Sequence, residues 1–180
     1  GTKSGAKSQK KKVSDTWNAK LSNTHLVIEG NLMAKITNDR TWYNAFGLNT
    51  YKKGDKKLWK ITIQKSKSLP NIIIGIVNKE NISPKMNGHF CDFKNGEHGY
   101  GFHSKDQKII HYGSKKPLKQ RLLKGKSVIV ELDLKGKYGA LNYYFNASNA
   151  GGFDKIDLNK EYVLAVSMFE QTQIALDNIE

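Results

Sequence analysis

The densest gathering of chemically capable side chains lies between Cys91 and His111, which encloses Asp92, Glu97, His98 and His103. These are metal-ligand types, yet a usual structural zinc site draws on several cysteines and the chain has one. His98 and His103 stand five apart, so on a regular strand they point to opposite faces. No metal and no other cofactor is expected. Glu131 and Asp133 share a strand face at about 7 Å, a separation that invites comparison with the carboxylate pair of a glycosidase. Two acids two apart on a strand are more simply its solvated face. Gly125-Lys126-Ser127 ends like a phosphate-binding loop, but Gln120 stands where the first glycine belongs and a strand pattern follows instead of a helix. There is no G-x-S-x-G elbow, and Gly99-Tyr100-Gly101 reaches Ser104 where a dinucleotide fingerprint has its third glycine. No catalytic residue is assigned, and the chain is not expected to be an enzyme.

The elements that would have to position such groups read as strands. From Trp17 onward apolar residues recur with period two in short runs broken by Gly, Asn, Lys and Ser. Trp59, Ile61 and Ile63 share one face of Leu58 to Gln64, and Val128, Val130, Leu132 and Leu134 share one face of Ser127 to Leu134. Leu141, Tyr143 and Phe145 repeat the pattern, and Gly136 and Gly139 supply a turn that makes the last two runs a hairpin. Ile72 to Val77 is apolar on both parities, which predicts a central strand covered on both sides. Further strands are predicted near His25 to Ile28, Leu32 to Thr37, His89 to Phe93, Gly99 to His103, Lys108 to Tyr112, Glu161 to Met168 and Gln171 to Leu176. Pro117 to Leu123 has room for one or two helical turns at most. This spacing predicts an all-β fold of two packed antiparallel sheets.

With 180 residues and 38% hydrophobic content, the chain can bury one sizeable core. No run approaches the roughly 18 apolar residues of a membrane-spanning helix. The formal charge of +14 is unevenly placed, because Lys3, Lys7, Lys10, Lys11 and Lys12 stand in an opening stretch with no acid. Residues 1–16 therefore read as a flexible basic leader and residues 17–180 as the folded domain. No export signal is expected, and the lone Cys91 favours a reducing compartment, so the expected location is intracellular, cytoplasm or nucleus. The 28 lysines outnumber arginines by fourteen to one, whereas readers of phosphates and base edges favour Arg forks. Nucleic acid is a possible partner but not the favoured one. Of the aromatics, alternation turns Trp59 and Tyr143 inward and leaves Tyr144 as an exposed stacking candidate.

Taken in order, several of these segments resemble the SPRY domain, the core of the B30.2 family. Gly54-Asp55-Lys56-Lys57-Leu58-Trp59-Lys60-Ile61-Thr62-Ile63 is similar to the family's glycine, aromatic and W-E-V-like strand, and Ile73-Ile74-Gly75-Ile76-Val77 to its I-G-V strand. His98-Gly99-Tyr100-Gly101-Phe102, then Ile110-His111-Tyr112-Gly113, resembles its aromatic-glycine stretch and H-x-G strand end. Val128 to Leu134 with Gly139-Ala140-Leu141-Asn142-Tyr143 resembles V-x-V-x-L-D and G-x-L-x-F, and Tyr162 to Phe169 resembles the Y-P-x-V strand, with Val163 in place of the proline. Asn146-Ala147-Ser148 and Gly151-Gly152-Phe153 replace the family's N-G.

The resemblance implies a bent antiparallel β-sandwich of the concanavalin-like jelly-roll kind, without catalysis, that binds a short peptide or protein surface through loops at one end. It implies a peptide site at Asn78, Lys79, His89, Met168, Phe169 and Glu170. Strand parity independently places Tyr162, Leu164, Val166 and Met168 on a core face and Phe169 on the opposite side. The isolated domain is expected to be a monomer. RNA binding through the lysine-rich surface and carbohydrate binding by a lectin-like sandwich stand as alternatives, because the charge suits the first and the sandwich suits the second.

Overall fold

The computed structural model describes residues 14–67, 69–92 and 99–179. The strands in chain order are β1 Val27–Glu29, β2 Leu32–Lys35, β3 Tyr43–Phe46, β4 Lys56–Ser66, β5 Ile72–Asn78, β6 Gly99–His103, β7 Lys108–His111, β8 Ser114–Pro117, β9 Ser127–Asp133, β10 Gly139–Phe145, β11 Ser148–Ile156, β12 Tyr162–Met168 and β13 Thr172–Ile179. They form a seven-stranded sheet in the order β1-β2-β13-β4-β9-β10-β11 and a six-stranded sheet in the order β3-β12-β5-β6-β7-β8. Every pairing is antiparallel. Among the described residues the one helical element is a 3-10 turn at Lys79–Asn81, and no helix is long and apolar enough to cross a membrane.

The core between the sheets follows the alternation. Trp59, Ile61 and Ile63 of β4 meet Val128, Val130 and Leu132 of β9 and Leu141 and Tyr143 of β10 in one buried cluster with Ile72, Ile74, Leu164 and Val166 from the other sheet. β5 is buried along its whole length. Its outer residues Ile73 and Val77 pack with Phe90 and Cys91, flanked by Leu21, Trp42, Ile82 and Met86, so loops cover the outside of the sheet as well. Gly75 sits at the crossing with β6, where an added Cβ would lie 1.8 Å from the Tyr100 carbonyl oxygen. Any side chain there would force the two strands apart.

Several elements depart from the sequence reading. β3 was not anticipated because its four buried residues include the polar Asn44, so it shows neither alternation nor a continuous apolar run. β8 escapes because it is exposed throughout, and β11 carries two glycines and two register shifts. No strand forms at His89–Asp92; a turn stands there, closed by a 2.9 Å bond from the Asp92 N–H to the His89 carbonyl, and Phe93 lies outside the described residues. No helical turn follows Pro117, which ends the edge strand β8, where a missing N–H costs nothing.

A residue ahead of Trp17 is also tied into the fold. Asp15 is 2% exposed: its Oδ1 accepts the N–H groups of Leu48 and Asn49 at 3.0 Å, and its Oδ2 accepts Trp59 Nε1 at 3.0 Å and the Tyr51 hydroxyl at 3.1 Å. A carboxylate can be buried there because these donors, with the Thr16 N–H at 3.0 Å, replace its lost water.

Candidate interaction site at the Phe169 end

The site is assembled around Lys35. On β2 it shares inward parity with Met33 and is 1% exposed, so its ammonium must find acceptors inside the protein. Nζ donates to the carbonyls of Asp39 at 2.7 Å, Thr41 at 2.5 Å and Phe169 at 2.8 Å, and lies 4.3 Å from the centre of the Tyr43 ring. Burial lowers its pKa, while Asp39 and Glu170 pull it back up. Three bonds to carbonyls tie the segment between β2 and β3 to the turn between β12 and β13. That tie sets Trp42 beside Phe169.

Trp42 is half-buried and touches three rings. Phe169 lies 5.1 Å away and tilted, His89 5.2 Å away edge-on and His103 5.8 Å away edge-on, geometries that suit the ring quadrupole. The Arg40 guanidinium carbon stands 5.7 Å from the Phe169 ring centre, and Arg40 also approaches Glu170 at 4.0 Å.

His89 is brought in by a polar seam on the outside of the six-stranded sheet. Asn44 donates to the Gly88 carbonyl at 2.8 Å, the Phe90 N–H donates to Ser167 Oγ at 3.1 Å, and Ser167 bonds to Asn44 Oδ1. Burial pushes the His89 pKa down to about 4. The neutral form is the one its contacts need, because Nδ1 accepts the Cys91 N–H at 3.2 Å. His103 sits between Asn71 Oδ1 at 2.6 Å and Asp106 at 3.2 Å; burial lowers its pKa as well, against the pull of Asp106.

The six residues implied by the resemblance do not gather in one place. β12 runs antiparallel to β5 with Tyr162 opposite Asn78 and Met168 opposite Ile72, which separates Asn78 from Met168 by about 20 Å at the ~3.3 Å rise of a strand. Asn78 is buried and caps the 3-10 turn, accepting the Glu80 N–H at 3.1 Å, and Lys79 pairs with Glu161 at 2.7 Å. Met168 is wholly buried in the core. His89, Phe169 and Glu170 are the three that meet. Trp42, Arg40, Lys35 and His103 complete the cluster, and a lysine on the inward parity of an apolar strand was the one sequence signal for any of them.

The Cys91 to His111 gathering disperses. Cys91 is buried, with its thiol pKa pushed up by loss of solvent, and His111 bonds through Nδ1 to the Gly99 carbonyl at 2.9 Å while stacking on Tyr100 at 3.8 Å. Glu97 and His98 lie outside the described residues, among which no three His, Cys, Asp or Glu side chains converge to hold a metal. Glu131 pairs with Lys56 at 3.7 Å, and Asp133 accepts the Lys135 N–H at 2.9 Å. Tyr144 is half-buried, with its hydroxyl 3.5 Å from Glu131.

This architecture is that of solved SPRY domains. The SPRY domain of human HERC1 superposes with a TM-score of 0.70 at 10% identity over 91% of this chain and 98% of that one. A human SPRY domain gives 0.67 at 13% identity over 84% and 94%, and the TRIM65 PSpry domain gives 0.66 at 14% identity over 91% and 89%. No family model matches the chain, and no curated protein sequence matches it. The chain has a SPRY-like fold, a bent antiparallel β-sandwich.

Proposed function

We propose that this protein is a non-catalytic, monomeric interaction module that docks a short peptide or protein surface on the Trp42–Phe169 end of its six-stranded sheet. The observation that carries this reading is the half-buried Trp42 and Phe169 pair, flanked by Arg40 and held in place from beneath by Lys35. Tryptophan, other aromatics and arginine on a preorganised scaffold are what binding hot spots are made of. The histidines serve as neutral, rigid neighbours rather than as acids or bases, with His89 held neutral by burial. The sequence resemblance to SPRY domains points to the same kind of role. Selection of displayed peptides against the full chain tests it: enriched peptides should lose affinity for Trp42→Ala and Phe169→Ala variants that keep the parent melting temperature. Peptides that bind both variants as well as the parent, or a chain that enriches glycans or RNA instead, overturn it.

A further inference from the structure

Two grooves lead away from the aromatic cluster around the end of the seven-stranded sheet. The nearer, about 270 Å³, runs between Arg40, Glu170, Lys67 and Gln171. The farther, about 280 Å³, shares Lys67 and Gln171 and continues past Ile36, Lys65 and Lys124. Gln171 Nε2 donates to the Ile36 carbonyl at 2.5 Å, which fixes the wall common to both. Lys65, Lys67 and Lys124 are exposed, and among the described residues no carboxylate lies within ion-pair distance of any of them. The one acid lining either groove is Glu170, beside Arg40. Ile36 is 60% exposed, the most of any large hydrophobic among the described residues.

We propose that this groove binds an acidic segment of a partner protein, with carboxylates over Lys65, Lys67 and Lys124 and an apolar side chain on Ile36. The proposal rests on the reading of the Trp42–Phe169 end as a docking site and extends it by naming the partner's chemistry. Several unneutralised cations in one groove repel one another within a Debye length of roughly 8 Å, and a ligand of opposite charge relieves that repulsion while gaining association rate. Nucleic acid fits less well, because no aromatic ring lines either groove for a base to stack on, and the groove's lone arginine already faces Glu170.

The test uses the full chain and three fluorescein-labelled probes: a Glu-rich dodecapeptide with two leucines, its Gln counterpart, and a dodecamer of thymidylate. Fluorescence anisotropy should show the Glu peptide binding at least about tenfold more tightly than the Gln peptide, with an affinity that falls as salt rises. Combined Lys65→Glu, Lys67→Glu and Lys124→Glu changes should weaken the Glu peptide by about tenfold or more. Lys108→Glu, Lys135→Glu and Lys155→Glu, an equal change in charge elsewhere, should leave it within about twofold. Equal losses in the two triple variants, tighter binding of thymidylate, or no binding of the Glu peptide to the parent overturns the proposal. Phe169→Ala separates the two readings. Binding lost in the groove variant but kept in Phe169→Ala upholds the groove and removes the aromatic anchor, and the reverse result upholds the anchor and removes the groove.

Discussion

The paired strands β5 and β12 have two ends, and the ends are built on different principles. At the Asn78 end the chain turns through a short 3-10 segment, capped by Asn78 and pinned by an exposed Lys79–Glu161 pair. The cap there is local, the ion pair joins two strand ends through exposed side chains, and together they leave little that is both exposed and rigid. At the Phe169 end the partners come from far apart in the chain. Lys35 reaches the Phe169 carbonyl across 134 positions, and Trp42 gathers rings from His89, His103 and Phe169. Preorganisation of half-exposed aromatics requires that long-range scaffolding, because a side chain ordered before binding loses less entropy on binding. In the proposed reading one end closes the sheet, and the other receives a partner.

The contrast breaks most completely if its central tie is cut. Lys35→Met keeps the length of the side chain but leaves three carbonyls without their donor, and should cost about 3 kcal/mol of stability in chemical denaturation. Spectral changes from Trp42 should accompany it. A variant as stable as the parent would show that the Lys35 bonds do not hold this end together.

Phe169→Ala removes the ring and spares the Lys35–carbonyl bond. It should weaken a selected peptide by about 2 kcal/mol with little change in melting temperature. Equal losses of stability and binding would make Phe169 a core residue.

The effect of pH on His89 sharpens the same contrast more gently. Its folded pKa, about 4, lies below the ordinary 6.5, so between those values the unfolded chain takes up more protons than the folded one. Stability should fall as pH drops from about 6.5 toward 4, and less steeply in His89→Phe than in the parent. Parallel thermal-melting profiles of the two proteins would refute a buried, neutral His89.

The smallest effect is expected at the other end. Lys79→Ala breaks an exposed ion pair and should leave both peptide affinity and melting temperature nearly unchanged. A large loss of affinity would restore the Asn78 end as part of the site.

Much of the architecture was legible because burial on one face of a strand writes itself as alternation. Trp59, Ile61 and Ile63 and the hairpin of β9 and β10 could be read from parity, and the doubly covered β5 from an apolar run on both parities. β3, β8 and β11 could not: β3 is four residues long and interrupted by Asn44, so it lacks the apolar run that marks β5, β8 is exposed on both faces, and β11 is broken by glycine. At the site, parity placed Phe169 off the core face, and the structure half-buries it against Trp42. Trp42 itself stands in a segment without pattern, and its role depends on residues 47, 61 and 127 positions away.

By itself, then, the sequence determined an all-β sandwich, the inward faces of its long strands and the concentration of lysine, because each depends on residue type and on spacing within one segment. Only the tertiary structure decided that Asp15 belongs to the core, that Asn78 and Phe169 lie at opposite ends of a sheet, and that Trp42, His89 and Phe169 meet above the buried Lys35. Those facts depend on which strands pair and in what register. Register is set by the packing of the whole core, and no single stretch of chain contains it.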